Sequence, residues 1–217
     1  NYYKDLIPRR PSSIIPSPVD FELEKNLTEP SLNFTDKTII GMVANINPIK
    51  NLEDFIYTAN KLNQKYEGLE FVIIGPIYKT QKKYYKKLKK MITDLSIKNI
   101  TFIGSVDAVS AYLNSLDIFL FTSKSESSPL AVWEAMLAEK PIVTYDVGDV
   151  KEYITHLKSG YIVDLSARED LVKGVEFLLS DFKLRTAMGR EAKKVVRSEL
   201  SSEACAKRHL DYFNKLL

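Results

Sequence analysis

The sequence is poor in the features that define several common classes of protein. Among its 217 residues there is one cysteine, Cys205, so no disulfide can form within the chain and the fold does not depend on an oxidising compartment. Apolar stretches such as 118–121 are far shorter than the roughly 20 residues that span a bilayer. The first ten residues are polar and mixed and do not resemble a secretion signal. We therefore expect a cytoplasmic globular domain.

The familiar patterns for metals and phosphates are also missing. The two histidines, His156 and His209, are isolated, and neither HxH nor HExxH occurs, so we expect no bound metal and no cofactor. The absence of GxGxxG and GxxxxGK[ST] excludes a dinucleotide fingerprint and a P-loop. A net charge of +3, from 31 basic and 28 acidic residues, is too small to indicate a nucleic-acid partner.

The positive charge is nevertheless concentrated in one segment. Seven lysines fall between Lys79 and Lys90. Apolar residues at helical spacing accompany them and predict a core-facing stripe: Tyr85, Leu88, Ile92 and Leu95. The pattern favours a solvated helix face, and the alternative is a contact with anionic lipid or glycan.

Residues 1–36 differ in composition from the rest of the chain. They contain five of the nine prolines and little periodicity, which predicts a linker or entry segment from a missing N-terminal domain. Residues 12–16 could hold one short strand. We expect residues 37–217 to form one Rossmann-like domain.

From Thr38 onwards, short apolar runs alternate with amphipathic segments. Six runs are typical of buried strands: Thr38–Ala44, Glu70–Gly75, Asn99–Ile103, Asp117–Thr122, Pro141–Tyr145 and Gly160–Val163. Two apolar helix faces stand out between and after them: Leu52, Phe55, Ile56, Ala59 and Leu62, then Leu171, Val172, Val175, Leu178 and Leu179. This alternation predicts an α/β fold, a parallel sheet of about six strands with helices on both faces and two or three extra C-terminal helices.

Parallel sheets bind ligands beyond the carboxyl ends of their strands. The segment 126–136 follows the fourth apolar run and opens a helix, with Pro129 suited to the first helical turn and Ser127 or Ser128 available as a cap. The free N–H groups of Leu130 and Ala131 would then form a seat for phosphate.

Two carboxylates, Glu126 and Glu134, flank that helix start. Ionised carboxylates only accept hydrogen bonds, so the pair suits a ligand with two sets of hydroxyls. The plain alternative is that Glu126 lies on a loop surface and Glu134 on a solvated helix face. We expect Trp133, by contrast, to pack in the core.

The order of these motifs resembles the signature of group 1 (family 4) glycosyltransferases, which have the GT-B fold. The resemblance runs from about residue 39 to the C-terminus and rests on the E-x7-E spacing of Glu126 and Glu134 together with these elements: Ala135-Met136, residues 140–143, residues 148–152, Lys50, Gly75-Pro76, residues 102–104 and Met188-Gly189.

The resemblance implies a role for each matching position. Glu134 would bind the ribose hydroxyls of a nucleotide-sugar donor and Glu126 its sugar, while Lys50 would neutralise the leaving diphosphate in place of a metal. The segment that follows Glu126 would surround the diphosphate: the N–H groups of Leu130 and Ala131 would donate to it, and Pro129 would line the site. Gly104 and Ser105 would bracket the nucleobase, with an ordinary turn as the alternative.

The chain departs from the family pattern at three places. No arginine accompanies Lys50, since residues 43–47 read Val-Ala-Asn-Ile-Asn. Ser128-Pro129 replaces an aromatic–glycine pair, and Gly148-Asp149 replaces two glycines. Glu152 could pair with Lys50 or cap a helix.

By resemblance, the function is the retaining transfer of a sugar from a nucleotide-diphosphate donor to a glycan, lipid or protein acceptor. The acceptor site would come from the missing N-terminal domain, so we expect this chain to bind nucleotide but to be nearly inactive alone. The full enzyme could associate peripherally with the inner face of the membrane. Alternatives are a nucleotide-sugar epimerase and a degenerate, non-catalytic binding module.

Overall fold

The computed structural model describes residues 15–21, 32, 34–165 and 167–216. Its centre is a six-stranded, wholly parallel sheet with the order β3-β2-β1-β4-β5-β6. The strands are β1 (Thr38–Val43), β2 (Leu69–Ile74), β3 (Ile100–Gly104), β4 (Ile118–Phe121), β5 (Ile142–Tyr145) and β6 (Tyr161–Val163). Each agrees with a predicted apolar run to within one residue at either end, which confirms the α/β prediction.

Helices connect the strands and follow the last of them. Those within the described ranges are α1 (Leu52–Asn63), α2 (Lys82–Asp94), α3 (Val109–Asn114), α4 (Leu130–Leu137), α5 (Val150–Tyr153), α6 (Arg168–Ser180), α7 (Phe182–Glu199) and α8 (Ser202–Asn214). Short 3₁₀ turns at Pro48–Lys50 and Lys79–Gln81 precede α1 and α2. The last three helices are the extra C-terminal helices that the sequence predicts.

The core lies on both faces of the sheet. All four residues of β4 and of β5 are buried, which is why these strands read as continuous apolar runs rather than as alternating ones. The predicted face of α1 is buried in full, and Trp133 of α4 is completely inaccessible to solvent. Cys205 of α8 is also buried.

The predicted stripe of α2 is partly wrong. The buried residues are Tyr84, Leu88 and Ile92, spaced four apart along one face. Tyr85 lies at the edge of that face, where its ring meets the edge of Phe102 at 5.1 Å between centroids. Leu95 is 38% exposed because it follows the last residue of the helix. Leu88 and Ile92 are therefore buried as predicted, while Tyr84 takes the buried position expected of Tyr85.

The described parts of the N-terminal segment pack on the domain. The N–H of Val19 donates to the carbonyl of Leu200 at 2.9 Å, and that of Leu32 donates to the Ser115 hydroxyl at 3.1 Å. Val19 belongs to the hydrophobic core. The predicted strand at 12–16 falls mostly outside the described residues, and its last two residues, 15 and 16, carry no strand.

The strand order creates a crevice at one place. The chain winds outwards from β1 through β2 to β3, then returns to β4 on the other side of β1 and continues to β6. The chain therefore leaves β1 towards one edge of the sheet and leaves β4 towards the other edge. In open parallel sheets, ligands bind at such a switch point.

Candidate functional site

The loop after β1 is folded by its own asparagines. The side-chain oxygen of Asn47 accepts from the N–H groups of Ile49 at 3.0 Å and Lys50 at 3.3 Å, and so caps the 3₁₀ turn that Pro48 opens. The amide of Asn47 donates to the side-chain oxygen of Asn45 at 2.9 Å. These asparagines stand in the segment where the family pattern has an arginine, and they shape the loop that presents Lys50.

The loop after β4 is hydrogen-bonded to the loop after β1. Thr122 donates its hydroxyl to the carbonyl of Lys50 at 3.0 Å, and Ser123 donates to the carbonyl of Ile49 at 3.2 Å. The N–H of Lys124 reaches the same Ile49 carbonyl at 2.8 Å. Thr122 and Ser123 are fully buried, so these bonds form away from water and hold the two loops in a fixed relation.

This relation brings Lys50 and Glu126 together. The ammonium Nζ of Lys50 lies 2.6 Å from Oε1 of Glu126, and the side chains are only 21% and 15% exposed. Nζ also lies 5.6 Å from the ring centroid of Phe121. A cation just before the N-terminus of α1 is unfavourable by itself, and the Glu126 carboxylate supplies the compensating anion.

Helix α4 begins four residues after Glu126. Its first residue is Leu130 and its N-cap is Pro129, one residue later than the sequence suggests. The carbonyl of Pro129 accepts the first helical bond, from the N–H of Val132 at 2.9 Å. The N–H groups of Leu130 and Ala131 precede that bond, and Leu130 is 44% exposed at this end of the helix. Such N–H groups in the first turn of a helix have no acceptor within the helix.

The predicted serine cap is wrong. No side chain caps the Pro129 N-cap of α4. The hydroxyl of Ser128 instead accepts a hydrogen bond from the indole Nε1–H of Trp133 at 3.1 Å. The buried indole requires an acceptor, and this need outweighs the capping preference of the serine.

Glu134 lies on the second turn of α4 and is half-buried. Burial raises the pKa of its carboxyl. Among the described residues, no hydrogen bond or ion pair of its side chain is found. A half-buried carboxylate of this kind is suited to accept hydrogen bonds from a ligand, and among the described residues no ion pair joins it to Lys50, whose partner is Glu126.

The loop after β5 packs against the Glu126 segment. The N–H of Asp149 donates to the carbonyl of Ser127 at 3.1 Å. Gly148 has φ +60°, and a Cβ placed there would lie 2.5 Å from the same oxygen, so this position requires glycine. Burial raises the pKa of Asp149, and its Oδ1 is a buried oxygen without a hydrogen-bond partner. The carboxyl of Asp149, at the position where the family pattern has a glycine, is thus partly buried between these loops.

Gly104 and Ser105 lie at the end of β3, two strands from β1. Gly104 accepts a hydrogen bond from the N–H of Gly75 at 2.8 Å and has φ +87°. Ser105 lines a cavity of about 130 Å³ whose other walls come from the segments 43–45, 74–76 and 106–109. The structure does not bring Gly104 and Ser105 into contact with Lys50, but it places them at the same edge of the sheet.

Sequence reasoning missed Asn51, Thr122 and Ser123. Their signal is present, since a Thr-Ser pair directly follows an apolar strand, and buried hydroxyls need partners. Glu152 is exposed on α5 and neither pairs with Lys50 nor caps a helix by its side chain. In the described part of the chain, no group of three acidic, histidine or cysteine side chains could hold a metal ion. Nor does any helix there have the length and apolarity to cross a bilayer.

Comparison with known proteins assigns the family. The family model of "Glycosyl transferases group 1" matches residues 24–195, most of the chain. The chain belongs to the group 1 glycosyltransferases. The resemblance seen in the E-x7-E motif is therefore confirmed.

The chain spans about half the length of the curated relatives it matches first. A trehalose synthase of Pyrococcus horikoshii is 27% identical over 231 aligned residues, which cover 99% of this chain and 55% of the relative. The 217 residues thus align with only part of that longer protein.

Solved structures identify that part. Sucrose-phosphate synthase from Thermosynechococcus elongatus superposes with a TM-score of 0.84 at 16% identity, covering 99% of this chain and 55% of the synthase. The C-terminal domain of a group 1 glycosyltransferase, LpcC from Francisella tularensis, superposes with a TM-score of 0.71 at 23% identity, covering 87% of this chain and 96% of that domain. In fold, the chain corresponds to the C-terminal domain of LpcC.

Proposed function

We propose that this domain binds the nucleotide-diphosphate sugar donor of a retaining glycosyltransferase. The observation that carries the proposal is the Lys50–Glu126 pair, which lies beyond the carboxyl ends of the adjacent strands β1 and β4, where the strand order reverses. A cation and an acid at the switch point of a parallel sheet suit a ligand that is anionic at one end and rich in hydroxyls at the other.

The diphosphate is the part of the donor that Lys50 would hold. Breaking the bond between sugar and phosphate develops negative charge on the leaving oxygen. The Lys50 ammonium and the N–H groups of Leu130 and Ala131 supply fixed positive charge for it. We propose that they do so in place of a metal ion and that no other cofactor takes part.

The two carboxylates would take the two ends of the donor. Glu126, beside Lys50, would accept hydrogen bonds from hydroxyls of the transferred sugar. Its carboxylate would also place negative charge near the reacting carbon. Glu134, one helical turn and more beyond the N-terminus of α4, would accept the ribose hydroxyls. The cavity beside Ser105 and the turn at Gly104 would receive the base.

The acceptor, whether glycan, lipid or protein, would bind mainly to another domain. In the proposed enzyme the donor site faces an N-terminal partner domain, so that the isolated 217-residue chain binds donor but transfers sugar very slowly. The family match favours neither the epimerase nor the non-catalytic module over transfer.

Calorimetric titration of the chain with uridine, guanosine and adenosine diphosphates tests the proposal. At least one of these nucleotides should bind. Lys50→Ala should lower the affinity for that nucleotide roughly 10- to 100-fold, as expected for the loss of a charge-assisted hydrogen bond. Glu134→Ala should weaken it as well. Lys65→Ala is the matched control, because Lys65 also forms an ion pair, with Glu176 at 2.7 Å, but lies beyond the C-terminus of α1, whereas Lys50 precedes the N-terminus of that helix. Equal affinities in wild type and Lys50→Ala would refute the donor site.

We also propose that the lysine-rich segment 79–90, which comprises the second 3₁₀ turn and most of α2, lets the enzyme associate with an anionic membrane surface. All seven lysines are exposed, and two of them have carboxylate partners, Lys87 with Glu53 at 2.8 Å and Lys90 with Asp94 at 2.7 Å. Each lysine near an anionic bilayer contributes about 1 kcal/mol. Sedimentation with phosphatidylserine vesicles should carry the chain down, and replacing Lys82, Lys83 and Lys86 by glutamine should abolish this. Equal sedimentation with neutral vesicles would contradict the proposal.

A further inference from the structure

Asn51, the residue after Lys50, has an unusual conformation. Its φ of 49° and ψ of 49° place it in the left-handed region, and only 1% of it is exposed. Asparagine enters this region more readily than most residues, but surrounding contacts still have to hold it there. Asn51 ends the 3₁₀ turn and precedes α1, so its conformation sets the direction in which the chain leaves Lys50.

A single carboxylate oxygen holds the Asn51 side chain. Oδ2 of Asp54 accepts from Nδ2 of Asn51 at 2.5 Å and from the hydroxyl of Tyr145 at 2.7 Å. Asp54 lies in the first turn of α1, where the helix dipole favours a negative charge. The three side chains form a continuous hydrogen-bonded chain from Asn51 to Tyr145, the last residue of β5.

Tyr145 is the rigid end of this chain. It is completely buried at the end of β5, an interior strand that lies between β4 and β6. Burial, and then the bond to Asp54, raise the pKa of Tyr145, so its hydroxyl remains a proton donor throughout the physiological range. A buried tyrosine hydroxyl takes a partner wherever one is in reach, and here the partner belongs to the helix that follows the Lys50 loop.

The backbone of Lys50 is therefore held on both sides. Thr122, after β4, binds the carbonyl of Lys50 itself, while Tyr145, at the end of β5, holds the next residue through Asp54. A lysine side chain has four rotatable bonds, and the ammonium reaches Glu126 reproducibly only if its backbone is fixed.

We propose that Asp54 and Tyr145 are positioning residues that lock Asn51 and thereby aim the Lys50 ammonium at Glu126 and at the donor diphosphate. The part of this statement that concerns the diphosphate rests on the proposed function. The part that concerns Glu126 does not, and two experiments separate them.

The first experiment measures the Lys50 ammonium directly. Trace acetylation of the 217-residue chain, followed by mass spectrometry, reports the reactivity of Lys50 relative to Lys65. Glu126→Gln, which removes the ion-pair partner, sets the upper limit of Lys50 reactivity. Tyr145→Phe removes one hydroxyl from the Asp54 carboxylate and should raise Lys50 reactivity roughly threefold, towards that limit.

Tyr57→Phe is the matched control. It removes a tyrosine–carboxylate hydrogen bond, to Glu169, from the same helix α1 without a link to Asn51. Lys50 reactivity should stay at the wild-type value in this variant. Unchanged Lys50 reactivity in Tyr145→Phe, or an equal rise in Tyr57→Phe, would overturn the positioning role whether or not nucleotide binds.

The second experiment is a double-mutant cycle on nucleoside diphosphate binding. Tyr145→Phe should weaken binding about three- to tenfold in the wild-type background and less than about twofold in the Lys50→Ala background, because its effect passes through Lys50. Equal losses in both backgrounds would show that Tyr145 acts by general stability and would refute the coupling. A wild-type chain that binds no nucleoside diphosphate refutes the proposed function and the diphosphate part together, while acetylation still decides the Glu126 part.

Discussion

The ammonium of Lys50 lies 2.6 Å from a carboxylate oxygen of Glu126, although 76 positions separate the two residues in the chain. The fold thus places a positive and a negative group side by side at the site proposed for the donor. Each neutralises the other, so the pair can remain partly buried without an unpaired charge. In the proposed complex, the diphosphate of the donor would contact Lys50 and the hydroxyls of its sugar would contact Glu126.

Glu126→Gln should have opposite effects on product binding and on catalysis. The free nucleoside diphosphate, which has no sugar, should bind more tightly because Lys50 loses its competing carboxylate and the phosphates lose a repelling one. For partly exposed charges this corresponds to about 1 kcal/mol, roughly fivefold. Calorimetry measures the affinity, and sugar transfer by the full-length enzyme should fall. Weaker diphosphate binding in this variant would show that Glu126 does not lie beside the phosphates.

Nucleotide affinity should rise with pH through the titration of Glu134. Burial raises the pKa of this carboxyl above its usual value of 4.5 in the free domain. Ribose hydroxyls would donate to the ionised form and so lower the pKa in the complex. Affinity is then lowest where Glu134 is protonated, and it increases until the pH exceeds the raised pKa.

The control for this pH dependence is Glu134→Gln, titrated alongside wild type between about pH 4.5 and 8. The terminal phosphate gains charge near pH ~6, so part of the rise belongs to the ligand. That part alone should remain in the glutamine variant. Superimposable pH curves for the two proteins would exclude ribose binding by an ionised Glu134.

The same residue should reduce stability at neutral pH. A carboxyl whose pKa is raised by folding favours the folded state most when it is protonated, below its unfolded pKa, and this contribution is lost as pH rises through the folded pKa. Glu134→Gln should therefore increase the Tm at pH 7.5 by a few degrees and change it much less at pH 4. Glu67→Gln, at an exposed site, should do neither. A larger increase in Tm at pH 4 than at pH 7.5 would contradict a raised pKa of Glu134 in the folded state.

Gly148→Ala should disturb the Glu126 loop, whereas Gly104→Ala should only strain the backbone. Both glycines have positive φ, and the left-handed region costs an alanine about 1–2 kcal/mol. At Gly104 no atom lies within 4 Å of the new methyl group, but at Gly148 the Ser127 oxygen lies 2.5 Å away. Urea denaturation should show the larger loss for Gly148→Ala, with weaker nucleotide binding. Equal losses of stability in the two variants would mean that the loop around Gly148 accommodates the methyl group without further destabilisation.

Local patterns predicted the elements well and their fine contacts poorly. The strands and the apolar face of α1 follow from period and burial, so they agree almost residue by residue. The sequence could not decide between Tyr84 and Tyr85 as the buried tyrosine of α2, because the two side chains are equally apolar and burial depends on which one faces α1. There the hydroxyl of Tyr84 receives the N–H of Leu52 at 3.2 Å. Ser128 was assigned as a cap because its competing donor, the Trp133 indole, becomes relevant only once the tryptophan is buried.

Composition and periodicity determine the parallel α/β class and place Lys50 and Glu126 in loops after strands and Gly104 at the end of one, because hydrophobic burial imposes a repeat that can be read along the chain. The motif order adds the family. Which of those strands are neighbours is a property of the folded sheet alone. Only the adjacency of β1 and β4, and the bonds from Thr122, Asp54 and Tyr145, turn two distant residues into one pair, since hydrogen bonds between remote segments leave no period in the sequence.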